Sequence, residues 1–340
     1  MAPQRHSLVT GGAGFIGRAL VSALVERGDR VTVVEPGGTP FRDDVAYRVA
    51  DVRDAEAFGP LVRDVDVVFH NASIVHTKRN REQDVWDVNL GGSRVVLDAC
   101  RAAGVKRLIY VSSASAVYEG RDIENGTEAL PYSRISQAPY ADSKIAAERE
   151  ILAANGRDGL ATCAIRPHVV FGPGDTRFLP AILERARNGK LRFSVGLRND
   201  KLSDFTYVTN VVDALLAADE RLSLDSPVAG QPYFITNGEP MPFFDFVNWI
   251  LRDLDMPTIR YAVPYPVAYA AASVAEALDS LRGGTLNTEN GLSRFAVRYM
   301  CTHHYFSIDK ARRELGYEPR VDLREGVKRS VEYLRERVAA

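Results

Sequence analysis

Ser7-Leu8-Val9-Thr10-Gly11-Gly12-Ala13-Gly14-Phe15-Ile16-Gly17 is the stretch whose reading decides the fold of this 340-residue chain. Ser7 to Thr10 reads as a short buried strand, and Arg18 to Arg27 as a helix closed by Gly28. A glycine-rich turn between a strand and a helix is the context that turns spaced glycines into a dinucleotide fingerprint. Gly11 permits the tight turn, Gly14 lets backbone approach a pyrophosphate, and Gly17 lets the helix pack close to the strand. Phe15 and Ile16 stand at the helix entrance, where free N–H groups and the positive end of the dipole suit phosphate.

Working outward, Arg30 to Val34 is a second apolar strand ending in Glu35. A carboxylate there grips the ribose hydroxyls of a bound dinucleotide and repels a 2′-phosphate, so NAD is expected over NADP, with Arg42 as the opposing signal. Tyr47 to Ala50 reads as a third strand whose end, Asp51-Val52, is placed to meet the adenine. Val65 to His70 is a fourth, and Asn71-Ala72-Ser73 should pass beside the cofactor, with His70 as packing rather than catalyst. Gln83 to Ala103 reads as a helix stopped by Gly104, with Asn89 on its inner side toward the cofactor. Arg107 to Val111 is strand five and delivers Ser112-Ser113-Ala114-Ser115 at the edge where open α/β sheets place ligands. Strand six, Cys163 to Pro167, leads through Pro167-His168-Val169 toward the nicotinamide end.

Pro139-Tyr140-Ala141-Asp142-Ser143-Lys144 opens a further helix. A spacing of four puts the Tyr140 phenol and the Lys144 ammonium on one face. A phenol with a pKa of ~10 is a poor base at neutral pH, and a fixed ammonium nearby favours its phenolate. Tyr140 is then able to exchange a proton with a substrate hydroxyl or carbonyl. A hydroxyl from the Ser112–Ser115 stretch beside it would hold the substrate oxygen.

Bulk properties narrow the choice. A net charge of −1 with scattered basic residues argues against a nucleic-acid partner. Cys100, Cys163 and Cys301 have neither disulfide nor metal spacing, so no metal is expected and the reducing cytoplasm is the default. His303-His304 has no metal partner set and reads as packing. No signal peptide is expected, and no uncharged run is long enough to span a membrane.

Beyond Asp175 the expected elements are a helix from Phe178 to Asn188, a short strand Asp204 to Val208 and a helix from Asn210 to Arg221. A strand from Pro232 to Thr236 and an aromatic-rich helix from Phe243, core or pocket wall, come next. Tyr261 to Ala275 then runs without a charge, interrupted by prolines. Tyr261–Leu278 is read either as a buried helix or as an apolar flap at a pocket mouth resting on a membrane surface. Arg282 to Ser293 reads as a mobile loop. The fold class is α/β: a doubly wound parallel sheet (Rossmann fold) over 1–176, with a return segment at about 204–236. A smaller, mostly helical substrate-binding region occupies 177–203 and 237–340.

The Thr10–Gly17 motif with Tyr140, Lys144 and a preceding serine resembles the extended short-chain dehydrogenase/reductase superfamily. Ser112–Ser115, Gly120–Tyr132, Ala164–Pro173, Tyr233–Pro240 and Tyr305–Arg313 resemble a narrower branch, the 3β-hydroxysteroid dehydrogenase family. The loop Asn125-Gly126-Thr127-Glu128 is similar to that of its decarboxylating sterol-4α-carboxylate 3-dehydrogenases. The resemblance implies Tyr140 as general acid/base, Lys144 as its partner and ribose ligand, and Ser113 as the serine, with Ser115 as the rival. It implies NAD bound along Gly11, Gly14, Phe15, Ile16, Gly17, Glu35, Asp51, Val52, Asn71, Ala72, Ser73, Asn89, Tyr140, Lys144, Pro167 and Val169, and a homodimer. Gly92 departs from the pattern, where relatives commonly carry Thr.

The expected reaction is oxidation of a 3β-hydroxyl on a steroid or sterol. A 4α-carboxylate, if present, would leave as CO2 from the resulting β-keto acid, and Arg166, His168, Lys78 and Arg79 are the candidates to receive it. The rivals are a reductase of long-chain 2-alkyl-3-oxoalkanoates, a sugar-nucleotide epimerase and a non-catalytic dinucleotide sensor.

Overall fold

The computed structural model describes residues 4–75, 81–189, 191–284 and 293–339. β1 (His6–Thr10) feeds through the glycine turn into α1 (Phe15–Glu26), followed by β2 (Arg30–Glu35), β3 (Ala46–Val49), α2 (Ala55–Phe58) and β4 (Val67–His70). α3 (Glu82–Trp86) and α4 (Gly92–Ala103) are joined by a π-turn, Asp87–Gly91, so the expected single helix carries an extra residue per turn where Asn89 sits. Gly104, at φ +70°, ends it as expected. β5 (Arg107–Val111), β6 (Ile123–Gly126), α5 (Pro139–Ala153), β7 (Ala161–Pro167) and β8 (Val170–Phe171) complete the half that carries the glycine turn.

The second half alternates short pieces: α6 (Phe178–Arg187), β9 (Phe193–Val195), β10 (Leu202–Ser203), β11 (Thr206–Tyr207), α7 (Val208–Arg221) and β12 (Gln231–Ile235). β13 (Met241–Pro242), α8 (Phe243–Asp253), β14 (Tyr261–Val263), α9 (Tyr265–Leu281), α10 (Arg294–Met300), β15 (His304–Phe306), α11 (Asp309–Leu315) and α12 (Leu323–Ala339) close the chain. The strand expected over Asp204–Val208 is shorter and lies outside the main sheet, because Val208 already begins α7.

Seven parallel strands in the order β12-β7-β5-β4-β1-β2-β3 form the main sheet. Its central strands are buried along almost their whole length because helices cover both faces. α1, α7 and α11 pack on one face around Leu20, Leu24, Val211 and Leu215. α4 and α5 pack on the other around Val96, Cys100, Ala147 and Ile151. The strand order reverses between β1 and β4, and a crevice opens there at the carboxyl ends of the strands.

The aromatic helix α8 is core. Phe244, Phe246, Val247, Ile250 and Leu251 are buried, and Phe246 stacks on Phe205 at 3.7 Å between ring centres. Each such ring contributes roughly 1.5–3 kcal/mol by burial. α9 is neither the expected buried helix nor interrupted by its prolines. Pro264 is its N-cap and Pro266 lies in its first turn, where proline's missing N–H costs nothing. Only Ala268 and Ala272 of this helix are buried.

Candidate active site

At the switch point the chain leaves room only for glycine. Gly11 has φ +66°, and a Cβ on it would stand 2.8 Å from the Ala72 backbone. A Cβ on Gly17 would stand 2.1 Å from the Gly11 carbonyl oxygen, so α1 packs as close to β1 as the backbone permits. A Cβ on Gly14 would meet nothing within 4 Å except the Gly11 carbonyl, at 3.2 Å. The turn is therefore a cradle of bare backbone at a helix N-terminus, which fits a pyrophosphate.

Most of the other expected cofactor residues lie at the carboxyl ends of β2, β3, β4 and β7 or in the segments that follow them. Glu35, half-buried at the end of β2, accepts a bond from the Ala13 N–H at 2.6 Å. Burial raises its pKa and the Ala13 N–H opposes the rise. Arg42, the opposing signal in the sequence, is engaged with Asp44 at 2.7 Å and with Ser22 at 3.1 Å. Asn71 donates to the Gly11 carbonyl at 2.9 Å, and the Ala72 N–H donates to Thr10 Oγ1 at 3.1 Å, which lays 71–73 along the turn. Asp51 is held by Arg53 at 2.6 Å, and Val52 is buried against Gly92. Val169 follows Pro167 with φ +32°, a strained value for a β-branched residue. Thr206 pins that segment, its N–H on the Val169 carbonyl at 3.1 Å and its hydroxyl on that of His168.

Asn89 is buried in the π-turn between α3 and α4. Its Oδ1 accepts from the Ile74 N–H at 2.7 Å, and its Nδ2 donates to the Ile74 carbonyl and to Ser143 Oγ, each at 3.0 Å. Both N–H donors of the amide and one acceptor position of its oxygen are taken by protein groups, so it ties the 71–75 segment to α5. Ser143 completes the tie by donating to the Tyr140 carbonyl at 2.8 Å.

α5 begins with Pro139 at its first position, which presets the helical φ one residue before Tyr140. Tyr140 is half-buried, while Lys144 on the same face is only 1% exposed. Lys144 Nζ donates to the Val111 carbonyl at 2.8 Å and lies 4.7 Å from the Tyr110 ring centre and 6.0 Å from that of Tyr140. Burial holds the Lys144 ammonium down to about 7, and Glu148 one turn further on pulls it up. Val111 ends β5, so the strand that anchors Lys144 also delivers the serines. α5 packs against the turn Ala114–Val117 that follows them. Ser113 Oγ accepts two bonds from Ser115, from its N–H at 3.2 Å and its hydroxyl at 2.9 Å. With those acceptor positions filled, the Ser113 proton remains free to be donated.

Sequence reasoning missed what lies under this site. Glu148 is fully buried and takes Arg166 Nη2 at 2.5 Å and the Tyr132 hydroxyl at 2.7 Å. The guanidinium lies 5.2 Å from both the Tyr132 and Phe234 ring centres. Arg166 is thus an anchor of the catalytic helix and not a receiver of a substrate carboxylate. The signal was present: an arginine inside an apolar strand needs a buried partner. His168 is likewise committed. Its Nδ1 donates to the Asp204 carbonyl at 2.8 Å and its Nε2 accepts from Tyr299 at 3.0 Å, while burial holds the ring down to about 4. Lys78 and Arg79 lie outside the described residues. His70 and His304 are packed: His70 sits between Thr10 and Ser93, and His304 stacks on Tyr299 at 3.9 Å.

The chain matches known proteins along most of its length. It is 38% identical over 325 residues to the mouse (Mus musculus) sterol-4-alpha-carboxylate 3-dehydrogenase, decarboxylating, covering 95% of this chain and 89% of that one. It is also 38% identical to the 2-alkyl-3-oxoalkanoate reductase of Stenotrophomonas maltophilia, over 95% of this chain and 97% of the other. Among solved structures, the UDP-glucose 4-epimerase of Thermus thermophilus in complex with NAD superposes with a TM-score of 0.71 at 25% identity, covering 97% of this chain and 99% of that one. The model of the 3-beta hydroxysteroid dehydrogenase/isomerase family matches residues 8–264. With a glycine cradle at the switch point and Lys144, one turn after Tyr140, bonded to the end of β5, the chain belongs to the 3-beta hydroxysteroid dehydrogenase/isomerase family.

Proposed function

We propose that this protein oxidises the 3β-hydroxyl of a steroid or sterol to the 3-ketone with NAD, and that a 4α-carboxylate, when present, leaves as CO2. The observation that carries the reading is one arrangement: Tyr140 and Lys144 share a face of α5, and that helix packs on the turn presenting Ser113. NAD, when bound along the glycine cradle with its ribose on Glu35, supplies the hydride acceptor. Ser113 donates to the substrate oxygen, since Ser115 occupies its acceptor side. Tyr140 takes the hydroxyl proton as C3 gives up its hydride, and Lys144 supplies the positive charge beside the phenol. The product carries a ketone β to the carboxylate. Its C4–carboxylate bond breaks with the electron pair moving into the enolate, which takes a proton at C4, so no separate decarboxylase residue is needed.

The relatives' names support the substrate class, and 177–203 with 237–340 form the substrate side in this reading. Homodimer formation and contact with a lipid surface through Tyr261–Leu278 are proposed with it, for a cytoplasmic enzyme whose substrate dissolves poorly in water. Light scattering of the purified chain measures the first.

The reductase reading stays in view because the Stenotrophomonas maltophilia enzyme is equally similar. One experiment separates them: incubation with a 4α-carboxysterol and NAD, following NADH and CO2 together. Formation of both in equal amounts is expected, and NADH alone from the sterol lacking the carboxylate. Faster reduction of a 2-alkyl-3-oxoalkanoate by NADPH than oxidation of any sterol would overturn the proposal.

A further inference from the structure

A cleft of about 500 Å³ is lined by the start of α9, by α10 and the residues after it, and by the chain that joins the serine turn to α5. Leu197, Pro264 and Tyr265 give it an apolar side. Four charged side chains line it as well: Arg198, Asp200, Lys201 and Arg298. Arg198 and Asp200 are exposed and opposite in sign. Lys201 is paired with Asp122 at 2.7 Å. Arg298 differs from the other three. It is partly buried, and among the described residues its partners are phenols: Nη2 donates to Tyr269 Oη at 3.0 Å, and Tyr265 stands beside it. A guanidinium carries five N–H donors, and two neutral phenols leave its charge uncompensated.

The position of this arginine is fixed from two directions. Gly120 has φ +78°, and a Cβ on it would lie 2.6 Å from Arg298 Cδ and 2.9 Å from Nη1, so the side chain rests on bare backbone. The same Cβ would lie 3.4 Å from Gln137 Oε1, three residues before Tyr140. Tyr118, which closes the serine turn, holds α10 from the other direction. Its hydroxyl shares a hydrogen bond with Thr302 Oγ1 at 2.8 Å, and its ring stands edge-on to Tyr299 at 5.2 Å. Thr302 in turn donates to the Arg298 carbonyl at 3.1 Å. The backbone of Arg298 is thus tied to the turn that presents Ser113, and its side chain to the stretch that leads into Tyr140.

A cation withdrawn from water is costly unless an anion meets it. Arg166 and His168 are spent on the protein's own groups, so neither answers a charge on a substrate. Arg298 has the opposite character: a fixed guanidinium, without a carboxylate among the described residues, at the edge of an apolar cleft. Apolar walls with one placed charge are the usual build of a small-molecule site, and a guanidinium fork matches a carboxylate.

We propose that this cleft is the outer part of the substrate site and that Arg298 pairs with a carboxylate carried by the substrate. The inference rests on the reaction proposed above for its choice of ligand. Two carboxylates offer the same chemistry, the 4α group beside the reacting carbon and an acid at the end of a side chain. The test is isothermal titration of the full chain in excess NADH with a 3β-hydroxysterol 4α-carboxylic acid, a 3β-hydroxysteroid with a side-chain acid, and the methyl ester of each. The wild type should bind at least one acid roughly tenfold to hundredfold more tightly than its ester. Preference for the 4α acid places the pair beside the reacting carbon, and preference for the side-chain acid places it at the far end. Arg298→Gln should reduce the preference to within about twofold. Arg298→Lys should keep part of it, because the charge remains and the fork is lost. Tyr269→Phe removes the phenol and leaves the guanidinium, so it should retain the preference. A wild type that favours neither acid overturns the proposal, as does a preference that survives in Arg298→Gln. Equal weakening of acid and ester in Arg298→Gln also overturns it, since the arginine would then only brace α9. Binding needs no turnover. A protein that selects an acid through Arg298 but forms no NADH from NAD and either sterol sinks the proposed reaction and leaves the subsite standing, and turnover without selection does the reverse.

Discussion

Two helices of this protein break the rule of apolar inside and polar outside, in opposite directions. α5 buries a lysine and a glutamate one turn apart, Lys144 and Glu148. α9 buries two alanines and turns its valines and leucines to solvent. The first departure is tolerable because each charge has a partner, Lys144 on the Val111 carbonyl and Glu148 on Arg166 and Tyr132. The second is tolerable because exposed apolar surface costs only about 25 cal/mol per Å², far less per side chain than an unpaired buried charge. The inward exception places charge where a proton moves. The outward one leaves a face for something else to cover.

The comparison breaks most readily at α5. Tyr140→Phe keeps the ring and removes the proton carrier, so turnover should fall by roughly 10²–10⁴ while NAD still binds. Near-normal turnover in steady-state assays would take Tyr140 out of its role. Glu148→Ala leaves Arg166 buried without its carboxylate and should cost about 3–5 kcal/mol in denaturant unfolding. A loss under about 1 kcal/mol would mean that the pair is solvated and α5 not exceptional.

Lys144→Met sharpens the point through pH. The folded protein holds this lysine at about 7, below its ordinary 10.5, so the unfolded chain binds the extra proton between those values. The penalty is complete below pH 7 and fades as pH rises toward 10.5. The methionine variant, inactive, should therefore melt above the wild type at pH 6, with the margin shrinking by pH 9. An equal margin at both pH values would show that burial does not disfavour the ammonium.

Glu35→Ala tests the cofactor end with a smaller effect. Losing the carboxylate should weaken NAD by roughly tenfold and improve use of NADP. A wild type that already prefers NADP at equal concentration would contradict the reading of β2. The smallest effect belongs to α9. Ala271 is exposed, so Ala271→Glu should change stability by no more than about 0.5 kcal/mol. It should still raise KM for a sterol presented in vesicles, and a large drop in melting temperature would show the helix to be core after all.

The first half of the chain was legible because its signals are local. A strand buried on both faces is apolar along its whole length, and the glycines punctuate it, so β5 fell on Arg107–Val111 to the residue. The second half was less so. β10, β11 and β13 are two residues long and have no periodicity to read. α9 is uncharged on every side from Tyr265 to Ala275, so the sequence could not say which face is covered; the packing of Ala268 and Ala272 on α10 decides it. Within the site, Tyr140, Lys144 and Ser113 could be named from spacing and resemblance. The partners of Glu148, Tyr132 and the Asn89 amide could not, because they lie 15 to 18 residues away or on another element.

Gly92 looked like a missing threonine. In the fold a Cβ at that position would fall 2.6 Å from Val52 Cγ2, so the glycine and the valine share one volume. The two positions therefore have an order in which they can change. Gly92→Thr on its own drives a branched side chain into a stiff one and should be lost, whereas the same change after Val52→Ala enters vacated space. A mutational path toward the common residue is open from one direction only, and a library that varies Gly92 singly will record it as intolerant although the route through Val52→Ala exists.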